Sequence, residues 1–194
     1  MTNIPPLYIL RHGQTEWNAS HRLQGRLDSN LTELGLSQAL QQNALLESQN
    51  LERFVAYCSP QGRAFHTASI ALRTLVPVIT TDVRLSEIGM GDWEGMCSTD
   101  LPVAFVADDS PQSTFSLYEE APNGEGFRAL RARCKSFLND LSQPAVIVTH
   151  GITSRMLRLV ALEMDTDKIG DLPGGQGVVY YLKGGHQRKL SIGA

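Results

Sequence analysis

Short apolar runs alternate with helical patterns along the chain, and this alternation constrains the fold more than any other feature of the sequence. The runs at residues 7–10, 54–58 and 145–148 are four or five residues long and almost free of polar side chains, and residues 76–81 form a weaker fourth run. Apolar runs of this length are typical of strands that are covered on both faces. The sequence therefore predicts a mostly parallel sheet in the centre of the protein.

Four other stretches carry apolar residues at helical spacing. The first begins after Thr32, a favourable N-cap residue, and the others cover approximately residues 64–75, 127–141 and 152–160. Strands that alternate with helices indicate an α/β fold, because each helix returns the chain to the same end of the sheet. We therefore expect a three-layer α/β/α domain with a mostly parallel central sheet.

Two segments depart from this alternation. Residues 178–182 and 189–192 flank Gly184-Gly185, which predicts a hairpin near the end of the chain. Residues 96–123 have weak periodicity and are too long for a simple connection. We expect them to form a small cap or insertion over one edge of a single domain that spans residues 1–194, since a chain of this length suits one core.

The composition argues against several classes of function. The chain has 17 Lys and Arg against 20 Asp and Glu, a net charge of -3, which gives no sign of a nucleic-acid or membrane partner. The first ten residues do not resemble a signal peptide, and no apolar run is long enough to span a bilayer. The three cysteines are widely spaced, which favours free thiols in the cytoplasm. The oligomeric state stays open.

Charged and polar residues follow three of the predicted strands. Arg11-His12-Gly13 follows the first, Ser59-Pro60-Gln61-Gly62-Arg63 the second, and Thr149-His150-Gly151 the strand at 145–148. Ligands of open parallel sheets bind beyond the carboxyl ends of the strands, so these side chains should meet at one edge. Helix N-termini and forked arginine donors both favour phosphate oxygens. The pattern predicts a phosphoryl-binding pocket at that edge, beneath the expected insertion.

The run Leu-Arg-His-Gly-Gln-Thr-Glu-Trp-Asn at residues 10–18 resembles the signature of the histidine phosphatase superfamily, which includes the cofactor-dependent phosphoglycerate mutases. The resemblance continues, in the usual order, through residues 22–25, 31–35, 59–64, 87, 93–95 and 149–151. It implies a phosphate-monoester hydrolase that acts on a small phosphorylated metabolite through a phosphohistidine intermediate. The scheme needs neither a metal nor a cofactor.

The resemblance also implies roles for individual residues. In the implied catalytic set, His12 is the nucleophile and Glu87 is the proton donor. Three further side chains hold the phosphoryl oxygens, namely Arg11, Arg63 and His150. The set that binds phosphate or substrate comprises Asn18, Gln24, Gly25 and Gly151. Elementary chemistry agrees, since neutral imidazole is a good nucleophile and arginines stabilise the charge of the transferring group. Arginines beside the histidines argue against a metal site.

Two residue roles and two alternative functions stay open. Glu94 is a second candidate for the proton donor, and His66, one turn after Arg63, is a candidate for indirect support of the pocket. A mutase-type phosphotransferase is disfavoured, because the stretch between Glu87 and His150 is shorter than in mutases. A phospho-ligand binding module without catalysis is disfavoured by the complete catalytic set.

Charge around the pocket suggests a substrate preference. Residues 85–127 contain no Lys or Arg and nine carboxylates. With no cation to offset them, these acids would repel a second anionic group on the substrate. This reasoning predicts that monoesters of neutral or cationic alcohols are preferred over phosphoglycerates and bisphosphates, with Phe105, Phe115 or Tyr118 offering an apolar surface.

Overall fold

A computed structural model describes residues 4–101 and 111–192, with only the backbone given for residues 111–114. The described residues form one six-stranded sheet in the order β3-β2-β4-β1-β5-β6, in which β1 to β4 are parallel and β5 and β6 are antiparallel. The prediction of a mostly parallel sheet is confirmed. The strands are β1 Leu7–Arg11, β2 Val55–Cys58, β3 Ile79–Thr81, β4 Ala145–Thr149, β5 Val179–Lys183 and β6 His186–Leu190.

Helices follow or precede most of these strands. The expected cap at Thr32 is present, because its hydroxyl oxygen accepts a hydrogen bond from the Gly35 amide at 3.1 Å. The α-helices of the described residues are α1 Glu16–Ala19, α2 Glu33–Glu47, α3 Gly62–Ala71, α4 Pro111–Glu120, α5 Gly126–Asn139 and α6 Gly151–Ala161. Short 3₁₀ helices cover Val83–Leu85, Gly91–Trp93, Ser98–Asp100 and Thr166–Asp171.

The core is divided into two halves by the sheet. Successive strand residues point to opposite faces. Leu7 and Ile9 therefore lie in a cluster with residues of α5 and α6, whereas Tyr8 and Leu10 lie in a second cluster with residues of α2 and α3. All four side chains are buried. Helices thus cover both faces, and the three-layer α/β/α arrangement is confirmed.

The terminal hairpin differs from its expected bounds. Its turn consists of Gly184 and Gly185, with φ of 58° and 75°, a conformation that glycine adopts without strain. Pairing resumes at once, since Lys183 is opposite His186. The second strand therefore begins at His186 and not at residue 189, because a two-residue turn leaves no room for a longer loop.

The segment expected to form an insertion is described in part. Its carboxyl-terminal half contains α4, which packs against α5 and the 3₁₀ helix at Thr166–Asp171. Residues 102–110, including Phe105, lie outside the described residues. Within the described ranges, no helix is both long and apolar enough to cross a membrane.

Candidate functional site

The loops after β1, β2 and β4 begin at the same level of the sheet. The His12 amide donates to the Thr149 carbonyl at 2.9 Å, and the Ser59 amide donates to the Val148 carbonyl at 3.0 Å. This register brings the His12 and His150 rings to a centroid distance of 5.1 Å. The structure therefore brings together the side chains that the sequence placed after three separate strands.

The His12 ring is held in one tautomer. Its Nδ1 lies 2.7 Å from the Gly13 carbonyl oxygen, which can only accept, so Nδ1 carries the proton. The Nε2 lone pair then faces Arg63, whose Nε donates to it at 3.3 Å. His12 is 2% exposed, and its unprotonated nitrogen is directed to the side where the arginine lies.

Both buried histidines are neutral at neutral pH. Burial, reinforced by the charges of Arg11 and Arg63, holds the pKa of His12 well below its ordinary value of ~6.5. Burial also holds the pKa of His150 well below that value, with Arg63, His12 and Arg11 adding to the effect. The arrangement therefore keeps the His12 Nε2 lone pair available for bonding.

These two rings make the stability of the protein sensitive to acid. A histidine whose folded pKa is depressed stabilises the fold fully above the unfolded pKa of ~6.5, and that stability is lost as the pH falls below it. Between pH 7.0 and 5.5 each ring accounts for a loss of about 1 kcal/mol, and the pair for about 2 to 3 kcal/mol. Urea unfolding of the wild type at the two pH values measures this loss.

The double variant His12→Asn/His150→Gln should lose that pH dependence. The asparagine amide can still donate to Gly13, and the glutamine amide can still reach Ser59. The matched control is His21→Asn/His186→Gln, because both of these histidines are exposed. A pH dependence that survives in the first double variant would show that other groups cause it.

Arg63 is buried and fixes the loop of residues 24–28. Its guanidinium donates to the carbonyls of Leu27 at 2.6 Å and Gly25 at 2.9 Å, and it forms an ion pair with Asp28 at 2.9 Å. Gly25 has a φ of 50°, and a Cβ there would lie 2.2 Å from the Glu94 carboxylate. The close approach explains why glycine is needed at the point where this loop crosses the site.

Two buried polar atoms in the pocket have no hydrogen-bond partner among the described residues, namely His150 Nδ1 and Arg11 Nε. The other His150 nitrogen, Nε2, lies 2.7 Å from the Ser59 hydroxyl. A Cβ on Gly151 would lie 3.3 Å from Arg11 Cζ, so this glycine leaves space for the guanidinium. Because buried polar groups are normally satisfied, these atoms indicate a place for oxygens of a bound anion.

Glu87 is anchored at the N-terminus of α6. Its carboxylate accepts from the Thr153 amide at 3.1 Å and the Ile152 amide at 3.2 Å. Its own amide donates to the Gln61 side chain at 2.7 Å, and Gln61 in turn donates to the Gly25 carbonyl at 3.1 Å. Glu87 therefore lies at the start of the helix that follows His150. Gln61 connects it to the loop that Arg63 holds.

Glu94 and His66, whose roles the sequence leaves open, lie in different surroundings. One Glu94 oxygen accepts from the amides of Arg26 at 2.9 Å and Met90 at 3.0 Å, so this carboxylate joins two loops. His66 is exposed and lines a separate cleft of about 440 Å³ together with Trp17 and Asp28. Arg63, which donates to the His12 ring, lines the same cleft, so His66 lies on the outer side of this arginine.

The remaining predicted binding residues stabilise the loops that enclose the pocket. The Asn18 side-chain oxygen accepts from the Thr15 amide and from the Gln176 side chain, both at 3.2 Å. Gln176 also donates to the His12 carbonyl at 3.3 Å. Gln24 is buried, and its oxygen accepts from the Ser29 hydroxyl at 3.1 Å.

Sequence reasoning missed several residues that support this site. The sequence places Ser59 at this edge without a role, whereas in the structure its hydroxyl contacts His150 Nε2. Asp28 and Gln176 gave no signal, because each lies in an irregular loop remote in sequence from the group that it contacts. No three His, Cys, Asp or Glu side chains within residues 4–101 and 111–192 are grouped to hold a metal ion.

The fold and the pocket define an α/β protein in which a buried, neutral histidine lies beside two arginines at the edge of the sheet. The family model of the histidine phosphatase superfamily (branch 1) matches residues 7–191. The chain belongs to this superfamily. The family and the expected class of enzyme, a phosphomonoesterase, are confirmed.

Proteins with similar sequences and structures are named as phosphatases or phosphoglycerate mutases. A putative phosphoserine phosphatase 2 from Hydrogenobacter thermophilus is 35% identical over 153 residues, covering 76% of this chain and 73% of the relative. A 2,3-bisphosphoglycerate-dependent phosphoglycerate mutase from Azorhizobium caulinodans is 30% identical over 188 residues, 91% of each chain. The crystal structure of a mycobacterial glucosyl-3-phosphoglycerate phosphatase in complex with VO3 has a TM-score of 0.78 at 28% identity, covering 96% of this chain and 97% of that one.

Proposed function

We propose that this protein hydrolyses a phosphate monoester of a small metabolite in two steps, with His12 as the nucleophile. In the first step, His12 Nε2 attacks phosphorus, and the bond to the alcohol oxygen breaks. Glu87 gives its proton to that oxygen, and the alcohol leaves. In the second step, Glu87 takes a proton from water, the water oxygen attacks phosphohistidine, and inorganic phosphate leaves with His12 restored.

The observation that carries the proposal is the state of the His12 ring. The Gly13 carbonyl fixes the proton on Nδ1, so the lone pair is on Nε2, inside a pocket with two arginines. A bound phosphoryl group would accept the hydrogen bond that Arg63 Nε now donates to His12. Its oxygens would also contact Arg11 Nε and His150 Nδ1, which have no partner among the described residues. Charge that develops on its oxygens would then be stabilised by donors already in place.

The supporting roles follow from the loops. Asn18, Gln24 and Gly25 belong to the two loops that enclose the phosphoryl position, and Gly151 gives Arg11 its space. The names of the relatives support small phosphorylated metabolites as substrates. A cytoplasmic location is part of this proposal, supported by three cysteines that are all free thiols.

A mutase is the second candidate, since relatives with that name match most of the chain. Incubation with 3-phosphoglycerate separates the two activities, because a hydrolase releases inorganic phosphate whereas a mutase forms 2-phosphoglycerate. Turnover of p-nitrophenyl phosphate followed by a panel of metabolite monoesters tests the hydrolase directly. We expect phosphate release without exchange between the glycerate isomers.

Chelation should leave the activity intact. Arg11 and Arg63 place two positive charges beside His12, which disfavour a divalent cation at the reacting phosphoryl group. Dialysis against EDTA, with metal content followed by mass spectrometry, should change kcat/KM by less than about twofold. Loss of activity that magnesium or zinc restores would contradict the mechanism.

A further inference from the structure

Several carboxylates in the described part of residues 85–127 contact groups within the protein. Glu125 forms an ion pair with Arg133 at 2.5 Å. Glu119 accepts from the Phe127 amide at 2.7 Å, and Glu94 accepts from two loop amides. These carboxylates hold loops together, and the charge of Glu125 is balanced by Arg133.

A cation from another element also reaches this segment. Arg155 of α6 places its guanidinium 5.1 Å from the ring centroid of Phe115 in α4. The premise that no cation borders the site is therefore wrong. The sequence could not reveal this contact, because Arg155 is remote in sequence from the segment and its side chain meets α4 only in the folded protein.

The guanidinium of Arg155 lies on the other side of Gly151 from that of Arg11. The two arginines flank Gly151, whose carbonyl oxygen is 3.4 Å from Arg155 Nη1 and whose Cβ position is 3.3 Å from Arg11 Cζ. Glu87 is anchored on two amides of the same helix N-terminus, and the Tyr118 ring of α4 lies 6.4 Å from the Phe115 ring that Arg155 contacts. Since Glu87 is the proposed proton donor, the leaving alcohol must lie beside it, toward Arg155 and Tyr118.

Arg155 and Tyr118 have hydrogen-bond donors that no described residue accepts. Arg155 donates from Nε to the Leu172 carbonyl at 3.0 Å and from Nη1 to Gly151, which leaves three of its five N–H groups without a partner among the described residues. No carboxylate among those residues lies within ion-pair distance of it, and it is only half-buried, so a ligand can reach it. The Tyr118 hydroxyl has no hydrogen-bond partner in the described part of the chain either.

The environment of the pair favours an anion over a neutral group. Burial lowers the pKa of Arg155, which nonetheless stays charged at neutral pH, and burial raises the pKa of Tyr118 to about 12, so its hydroxyl keeps its proton. Both groups therefore offer hydrogen-bond donors. An unpaired, half-buried guanidinium is costly, and a planar carboxylate would satisfy it through charge-assisted hydrogen bonds.

We propose that Arg155 and Tyr118 form a subsite that binds a carboxylate on the leaving alcohol of the substrate. The proposal rests on the proposed function, because it takes the position of the alcohol from the role of Glu87. It identifies the substrate class as phosphate monoesters of hydroxy acids, in contrast to the neutral or cationic alcohols that charge counting on the sequence favours.

The test compares two ligands that differ at one end. 3-Phosphoglycerate carries a carboxylate where glycerol 3-phosphate carries a hydroxymethyl group. Titration calorimetry on the His12→Asn protein gives both Kd values without turnover. We expect 3-phosphoglycerate to bind about tenfold more tightly, and Arg155→Gln in the same background to bring the two Kd values within about threefold.

A second variant and a control protect the test against a folding defect. Tyr118→Phe removes only a hydroxyl and should reduce the Kd ratio by about threefold. Arg131→Gln is the matched control, because Arg131 also donates to a backbone carbonyl, that of Met164, but lies on α5 away from Glu87. It should leave the ratio unchanged.

Two outcomes overturn the subsite: glycerol 3-phosphate binds as tightly as 3-phosphoglycerate, or the preference survives in both Arg155→Gln and Tyr118→Phe. Hydrolysis of p-nitrophenyl phosphate by the wild type reports on the proposed function separately. A protein that hydrolyses the aryl ester but shows no carboxylate preference retains its function and lacks this subsite.

Discussion

Replacing His12 by asparagine is expected to lower kcat/KM for p-nitrophenyl phosphate by about 10⁴-fold or more, because no phosphoenzyme can then form. The asparagine Nδ2 occupies the position of the imidazole Nδ1 and can still donate to the Gly13 carbonyl, so the loop after β1 keeps its anchor. The variant removes Nε2, the atom that faces Arg63. Steady-state kinetics measure the loss.

The covalent intermediate provides a second measurement of the same prediction. Rapid quenching in alkali during turnover of ³²P-labelled substrate should leave label on the peptide that contains His12, and none in His12→Asn. His186→Asn is the control, since His186 is exposed in the terminal hairpin beside the start of β1, whereas His12 follows the end of that strand. Near-normal turnover by His12→Asn would rule out the mechanism.

The layers of the fold could be predicted because their signals are local. Residues 7–10 and 145–148 are uninterrupted apolar runs, and a strand of that kind requires cover on both faces. The pocket could be located because Arg11, His12 and His150 each directly follow such a strand. Both conclusions depend only on the order of residues along the chain and on the general geometry of parallel sheets.

The finer organisation of the site could not be predicted because it depends on contacts between distant loops. The Asp28–Arg63 ion pair, the Gln176 bridge and the approach of Arg155 to Phe115 all join residues far apart in sequence. A count of charges in one segment missed the last of these, since the cation comes from α6. Electrostatics around a pocket is a property of the folded surface, and composition along the chain does not determine it.

The role of Glu87 predicts a dependence on the leaving group. Glu87→Gln should lower kcat/KM about 10³-fold for an alkyl phosphate, whose alkoxide requires a proton, and less than about tenfold for p-nitrophenyl phosphate, whose phenolate does not. kcat/KM is the right quantity, because it reports the steps up to formation of phosphohistidine and excludes the later attack of water.

The comparison between two substrates separates proton donation from a structural effect. Glutamine at position 87 weakens the anchor at the α6 amides of Ile152 and Thr153, and this disturbance lowers both rates by the same factor. Only loss of the proton donor lowers the alkyl rate selectively. Glu94→Gln is the matched control: it weakens the contacts with the Arg26 and Met90 amides, so it should affect both substrates equally. A selective loss in Glu94→Gln, with equal losses in Glu87→Gln, would instead identify Glu94 as the proton donor.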